Sequence, residues 1–334
     1  IHEINAGTYC FKASYLYAAL QHLRPNNVKA EYYLTDVIGH ACREGQVVQA
    51  VRAEDWREAL GVDSKADLAL AEACLRERAL QRLMANGVTI LDPQSTYVHP
   101  EVQVGQDTIL YPNTHLLGQT VVGEDCQIWP NSVIRDSTLG DGVIILPSCV
   151  ITGSTIAAGS SVGPFAHLRP ESVLEEQVKV GNFVEVKKSV IGKGSKASHL
   201  SYIGDVTMGK EVNVGAGFIA CNYDGETKQE TIIEDEVFIG SDSQIIAPRR
   251  IGQGAYIATG TTVRKDVPPH ALVYNTKDQV HRDNWALGRK PRKHEPQMNT
   301  DGDELYRRSS AVPLGALCGP RPRAAARGRP KAHT

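Results

Sequence analysis

Four side chains have the types and separations for chemistry: Arg169, Lys187, His199 and Tyr202, with Asn213 close behind. A guanidinium and an ammonium beside a hydroxyl donor suit a phosphate group, the first through its planar fork and the second as a point charge. Taken singly, each cation reads as a solvated surface charge. The functional reading needs an element that gathers them. Arg169 and Lys187 are eighteen residues apart, and Lys187 and Tyr202 fifteen. In a coil of about eighteen residues such positions stack on one side, the fifteen absorbing one short step. Arg, Lys and Tyr then form a ladder, with His199 and Asn213 nearby.

The chain supplies such an element. From about 98 to 267 aliphatic residues recur every six: Val104, Leu110, Leu116, Val122, Ile128, Ile134, and later Ile233, Ile239, Ile245, Ile251, Ile257, Val263. Steps of five occur from Ile134 to Leu139 and from Ile151 to Ile156. Six is no near-multiple of 3.6, and a hairpin sheet would alternate every two residues. A hexapeptide β-helix fits: three short strands and three turns per triangular coil, aliphatics inward, roughly nine coils. Its winding sense does not follow from the period. The polar stretch "CNYDGETKQETI", 221 to 232, breaks the period and must loop out from a corner.

Other regions differ in texture. "IHEINAGTYCF" is strand-like at its start, and "SYLYAALQHL" and "YYLTDVIGHACREG" show helical spacing. Residues 64–86 read as one helix, with a capping box of Ser64 and Asp67, an apolar face of Leu68, Ala71, Leu75, Ala79 and Leu83, and a stop at Asn86-Gly87. "RPRAAARGRPKAHT" reads as a disordered, solvated tail rather than a nucleic-acid arm. With 36 Lys+Arg against 38 Asp+Glu, nothing global points to nucleic acid or a membrane surface. No apolar run reaches a membrane span and no signal peptide opens the chain. Seven cysteines without a CxxC read as reduced thiols, and the expected location is cytoplasmic.

"GPFAHLRPES", "VGNFVEVKKSVIGKGSKASHLSYIGD", "VNVGAGFIACNYDG" and "VFIGSDSQIIAP" closely resemble the bacterial bifunctional N-acetylglucosamine-1-phosphate uridyltransferase/glucosamine-1-phosphate acetyltransferases, and "EINAGTYCF" and "EYYLTD" resemble the end of their uridyltransferase domain. The likeness runs from about residue 3 to 287. It implies a left-handed parallel β-helix acetyltransferase domain at 88–290. Before it come a remnant α/β nucleotidyltransferase segment at 1–63 and a linker helix at 64–87; a tail follows at 291–334. It implies homotrimers with acetyl-transfer sites between subunits, serving UDP-N-acetylglucosamine and cell-wall or lipopolysaccharide precursor synthesis. His199 would be the general base toward glucosamine-1-phosphate, and Arg169, Lys187, Tyr202 and Asn213 would hold the sugar phosphate. Ala216, Asn222, Tyr223, Ser241, Thr259 and Thr276 would line the site of acetyl-CoA, the co-substrate. Thr259 replaces a usual Ala, and Thr276, with Lys277 beside it, replaces a CoA-binding Arg.

The chemistry agrees from below. An ammonium cannot attack a thioester, and an imidazole, with an ordinary pKa of about 6.5, can take its proton. Cys221 reads as a packed corner residue, because direct transfer needs no nucleophile. The uridyltransferase half is expected to be inactive: the family's first 150 or so residues, with its glycine-rich loop, have no counterpart here. Asn5 matches a sugar-nucleotide contact, and Asp63 stands where an Asn binds Mg²⁺. Three other readings compete. A zinc carbonic anhydrase needs three converging histidines, and the eleven here include no H-x₄-H pair. A non-catalytic trimeric scaffold would need neither the polar cluster nor the insertion. Acetyl transfer to a different amino sugar is separable only by a substrate panel.

Overall fold

The structure, a computed structural model, describes residues 4–25, 28–276 and 279–285. The expected tail at 291–334, Lys277 and Cys318 lie outside the described residues. Residues 1–276 and 277–334 are separate units.

From Thr89 to Val273 the chain winds as a parallel β-solenoid of about 10 turns. Two faces belong to one 19-stranded sheet and the third is a 9-stranded sheet, every named pairing parallel. The six-residue period is the inward ladder: Leu110, Leu116, Ile128, Ile134, Ile145 and Ile151 have no exposed surface. Residues before and after each point outward, as the period of two in a strand requires. On the first face Lys179, Lys196, Asn213, Phe238, Tyr256 and Leu272 stack outward in register. On the second, His167, Glu185, Tyr202, Ile219, Gln244 and Thr262 do so. Buried hydroxyls serve the corners. Ser189 Oγ donates to Lys187 O (2.8 Å) and accepts from Val206 N (3.0 Å). The parallel β-helix is thus observed, and its left-handed winding rests on the family likeness.

Among the described residues three α-helices precede the solenoid: α1 (Ala13–Leu20), α2 (Thr35–Arg43) and α3 (Lys65–Ala85). The capping box is present: Ser64 Oγ accepts from Asp67 N (3.2 Å), and Asp67 Oδ2 accepts from Ser64 N (2.8 Å). The expected apolar face holds only in part. Ala79 and Leu83 are buried, joined by Leu80, but Leu68 and Leu75 stay about half exposed. Only the C-terminal turns of α3 reach the solenoid, where Leu80 and Leu83 join Val88, Ile90 and Val98 in its core. Arg82 Nη2 donates to Pro100 O (2.8 Å) and Val102 O (3.2 Å). The helix thereby covers an edge that would otherwise present unpaired backbone groups.

The start of the opening stretch, residues 1–3, where a strand was expected, lies outside the described residues. Residues 4–12 form no strand.

Candidate functional site

β-strand Lys196–Gly204 carries His199 at a corner and Tyr202 on the second face. His199 is exposed and faces away from the lumen. Its Nδ1 lies 2.8 Å from Asn182 Oδ1, one coil earlier and seventeen residues back. A carboxamide oxygen only accepts, so Nδ1 carries the hydrogen and the Nε2 lone pair is left for a substrate proton.

The corner beside His199 continues through later coils. Gly217 N donates to Leu200 O (2.8 Å), Asp242 N to Ala216 O (2.7 Å) and Gly260 N to Ser241 O (2.8 Å). Ala216, Ser241 and Thr259 therefore rise as one column from the level of His199. Glycine precedes the first two: a Cβ at Gly215 would collide with Ser241 N, and one at Gly240 with Thr259 N. Thr276 follows Asn275, whose Oδ1 accepts from Thr262 N (2.6 Å) in the last coil. Asn213 lies outward on the first face, between Lys196 and Phe238.

Arg169 and Lys187 end successive rungs of the second face, Leu168 pairing with Val186. The rung partner of Lys187 is Gly204, because these coils advance seventeen residues, and Tyr202 pairs instead with Glu185. Tyr202 reaches the column by its side chain. A Cβ at Gly204 would collide with the tyrosine ring and hydroxyl, so the ring lies over the glycine. Arg169 Nη1 donates to Glu185 Oε1 (3.0 Å), and Lys187 Nζ donates to Asp205 Oδ2 (3.3 Å).

The insertion leaves the corner at the end of this face. Tyr223 and Lys228 form an antiparallel bridge, and Gln229 N donates to Asn222 O (2.8 Å). Asn222, at its root, points back: Nδ2 donates to Asp205 Oδ2 (2.5 Å) and lies 3.4 Å from Tyr202 Oη. Tyr223 stays exposed, its hydroxyl on Gly225 O (2.5 Å). Asn222 thus stands with Tyr202 and Lys187, and Tyr223 beside it, while Ala216, Ser241 and Thr259 occupy the other corner. Lys228 returns beside Lys187. Burial works against the Lys187 ammonium, but the hydrogen bond and charge of the Asp205 carboxylate outweigh it and raise its pKa. The Lys228 pKa is lowered, first by its hydrogen bond to Lys187 and then by the charge there.

Sequence reasoning missed Asn182, Glu185, Asp205 and Lys228. Counting seventeen back from His199 and Tyr202 finds the first two. Nothing in the sequence shows that the insertion folds Lys228 back. Cys221 is half-buried, and that burial pushes its thiol up.

Among the described residues no three His, Cys, Asp or Glu side chains stand close enough to hold a metal. Asn5 is spent locally, its Oδ1 accepting from Gly7 N (2.9 Å) and its Nδ2 donating to Tyr9 Oη (2.5 Å). Asp63 is exposed, with its backbone N directed at Asp67. This donor set does not fit a Mg²⁺ site, which calls for oxygens in near-octahedral array.

A family model described as the GMPPB C-terminal domain matches residues 93–191. The bifunctional protein GlmU of Geobacillus sp. (strain WCH70) is 50% identical over 286 residues, 86% of this chain and 62% of the relative. Most of this chain is thus similar to GlmU proteins. GlmU of Heliobacterium modesticaldum (strain ATCC 51547 / Ice1) is also 50% identical, over 290 residues, 87% of this chain and 63% of its own length. This chain therefore spans less than two thirds of the GlmU relatives it matches. Among solved structures, an Arabidopsis UDP-N-acetylglucosamine acyltransferase has 16% identity and a TM-score of 0.41, over 53% of this chain and 69% of that one.

Proposed function

We propose that the chain transfers the acetyl group of acetyl-CoA to the amine of glucosamine-1-phosphate. One observation carries the reading: an exposed imidazole stands at the foot of the Ala216–Ser241–Thr259 column, on the same strand as the phenol that completes the Arg169–Lys187 ladder. The cation ladder takes the sugar phosphate and the corner column takes the CoA. Nε2 of His199 removes a proton from the amine. The nitrogen attacks the thioester carbonyl, the carbon–sulfur bond breaks, and the imidazolium returns its proton to the departing thiolate. No covalent enzyme intermediate is needed. Asn213, one coil on, borders the sugar side.

The same corner supports a homotrimer. Phe165 and Phe183 stack at 5.3 Å, and with Leu200 they present an exposed apolar ridge directly beside Asn182 and His199. A second copy seated there would exclude water from the base. The segment at 1–63 corresponds to the end of a uridyltransferase domain. Its remaining donors do not fit the metal, so no uridylyl transfer is assigned to this chain. No helix among the described residues is long and apolar enough to cross a membrane.

The test mixes the chain with acetyl-CoA and glucosamine-1-phosphate and follows free thiol. Thiol release that requires the sugar phosphate supports the reading. Its absence overturns it, and release with other amino sugars instead reassigns the acceptor. Release of pyrophosphate from UTP and N-acetylglucosamine-1-phosphate would overturn the second assignment.

A further inference from the structure

Among the described residues, the buried polar side chains are serines and threonines, with two exceptions: Asp205 and Asn222. These two touch each other. Asp205 is 8% exposed and is the one ionisable group in that set. A buried ion pair is no more stabilising than apolar side chains of similar volume, so packing gives no reason for it. The corner gives none either. Asp205 has φ 51°, which Asp tolerates. The equivalent residues one and two coils earlier, Lys188 and Glu171, share that conformation with their side chains in solvent.

Its contacts do give a reason. One carboxylate oxygen, Oδ2, accepts from Lys187 Nζ (3.3 Å) and from Asn222 Nδ2 (2.5 Å). Its backbone O accepts from Thr231 N (3.0 Å). Asp205 thus holds the insertion at both ends, Asn222 by side chain and Thr231 by backbone, and fixes the ammonium that the insertion faces.

We propose that Asp205 is a positioning residue of the sugar-phosphate site, its carboxylate aligning Lys187 and tying the 222–230 insertion to the Arg169–Lys187–Tyr202 ladder. This rests on reading that ladder as the phosphate site. The groups around Lys187 are Arg169 from the preceding coil, Glu185 on its own strand, Tyr202 and Asp205 from the next coil, and Lys228 from the insertion. Charge alone would make Asp205 an obstacle to an anion, and its removal would tighten binding. Positioning makes the opposite prediction, because a loose Lys187 must be ordered by the ligand itself.

The test uses the full chain with Asp205→Asn, which preserves shape and one acceptor, and Asp205→Ala, which removes both. Expected for Asp205→Ala is an increase of about ten- to hundredfold in KM for glucosamine-1-phosphate, the usual worth of a hydrogen bond to a charged group. The KM for acetyl-CoA stays within about twofold. Asp205→Asn shows a smaller rise in the same direction, and the alkaline limb of kcat/KM for the sugar phosphate moves to lower pH as Lys187 loses its counter-charge. A folded Asp205→Asn protein with unchanged or tighter sugar-phosphate binding, or with its alkaline limb unmoved, overturns the proposal. Should the wild-type chain not acetylate glucosamine-1-phosphate, the functional reading fails by itself. The Lys187 ¹³Cε titration and inorganic phosphate binding then decide for Asp205: lower pKa and weaker binding in Asp205→Asn support the clamp, and no change in either overturns it.

Discussion

In the solenoid, Leu110, Ile128, Ile134, Ile145 and Ile151 have no exposed surface, whereas among the described residues before α3 the buried apolar ones are only Ala19, Val37 and Ala41, and Tyr17, Val47 and Val51 stay in solvent. Both regions contain enough aliphatics to form a core. The difference lies in repetition. A coil cannot bury its inward residue alone, but each added coil covers the last and offers its backbone a new ladder. Two short helices and a 3₁₀ turn, Trp56–Ala59, have no such neighbour on both sides. They rely on polar ties, such as Asp55 Oδ2 with Arg78 Nη2 (3.1 Å) and Glu77 Oε2 with Arg57 Nη1 (3.0 Å). The Arg57 guanidinium holds the Asp55 carboxyl well below the usual range, yet such solvent-facing pairs add little to stability. The rigid region therefore also holds the proposed chemistry, which needs fixed geometry.

That contrast can be broken at several points. His199→Ala is expected to lower acetyl-transfer turnover about 10²–10⁴-fold without changing the melting temperature, since the ring is exposed; steady-state kinetics beside calorimetry checks both. Unchanged turnover in the folded protein would remove His199 from the mechanism. Ile145→Ala should cost about 2–5 kcal/mol by denaturant unfolding, because Ile145 has no exposed surface. Val37→Ala in α2 should leave the solenoid's own transition in place; a shared, single transition would erase the contrast. Lys187→Ala should raise KM for glucosamine-1-phosphate about tenfold or more, the range for a hydrogen bond from a charged group, with little effect on KM for acetyl-CoA. Equal effects on both would undo the division of the site into a cation ladder and a corner column.

The smallest effect is at α3. Ser64→Ala should cost about 1 kcal/mol. Hydrogen bonds from Ser64 and the Asp63 backbone lower the Asp67 pKa. A depressed carboxylate pKa gives stability present above the unfolded value of about 3.9 and lost as pH falls through the folded one. Acid unfolding below about pH 3.9 should thus weaken in its pH dependence when Asp67 becomes Asn; an unchanged acid limb would show that the cap contributes nothing.

How much was legible follows from the same contrast. The six-residue aliphatic period led to the lumen residue by residue, because inward burial is a local rule repeated in every coil. The Ser64–Asp67 cap was legible because a capping box spans four residues. The face of α3 was less so, since which of its turns are covered depends on how far the solenoid end extends. Asn182 beside His199 and Glu185 beside Tyr202 required the coil length, seventeen here rather than eighteen, to be known.

By itself the sequence determined a parallel solenoid, its corner insertion and the side chains on which acetyl transfer was staked. Only the tertiary structure decided which of them meet. Tyr202 enters the Lys187 column because Gly204 leaves room for its ring, and Asp205 is buried against Asn222 and Lys187 where Lys188 and Glu171 stay in solvent. The physical reason is range. Burial of an aliphatic at every sixth position is set by near neighbours along the chain. A hydrogen bond between coils depends on residue count per turn, side-chain reach and the volume that one missing Cβ sets free.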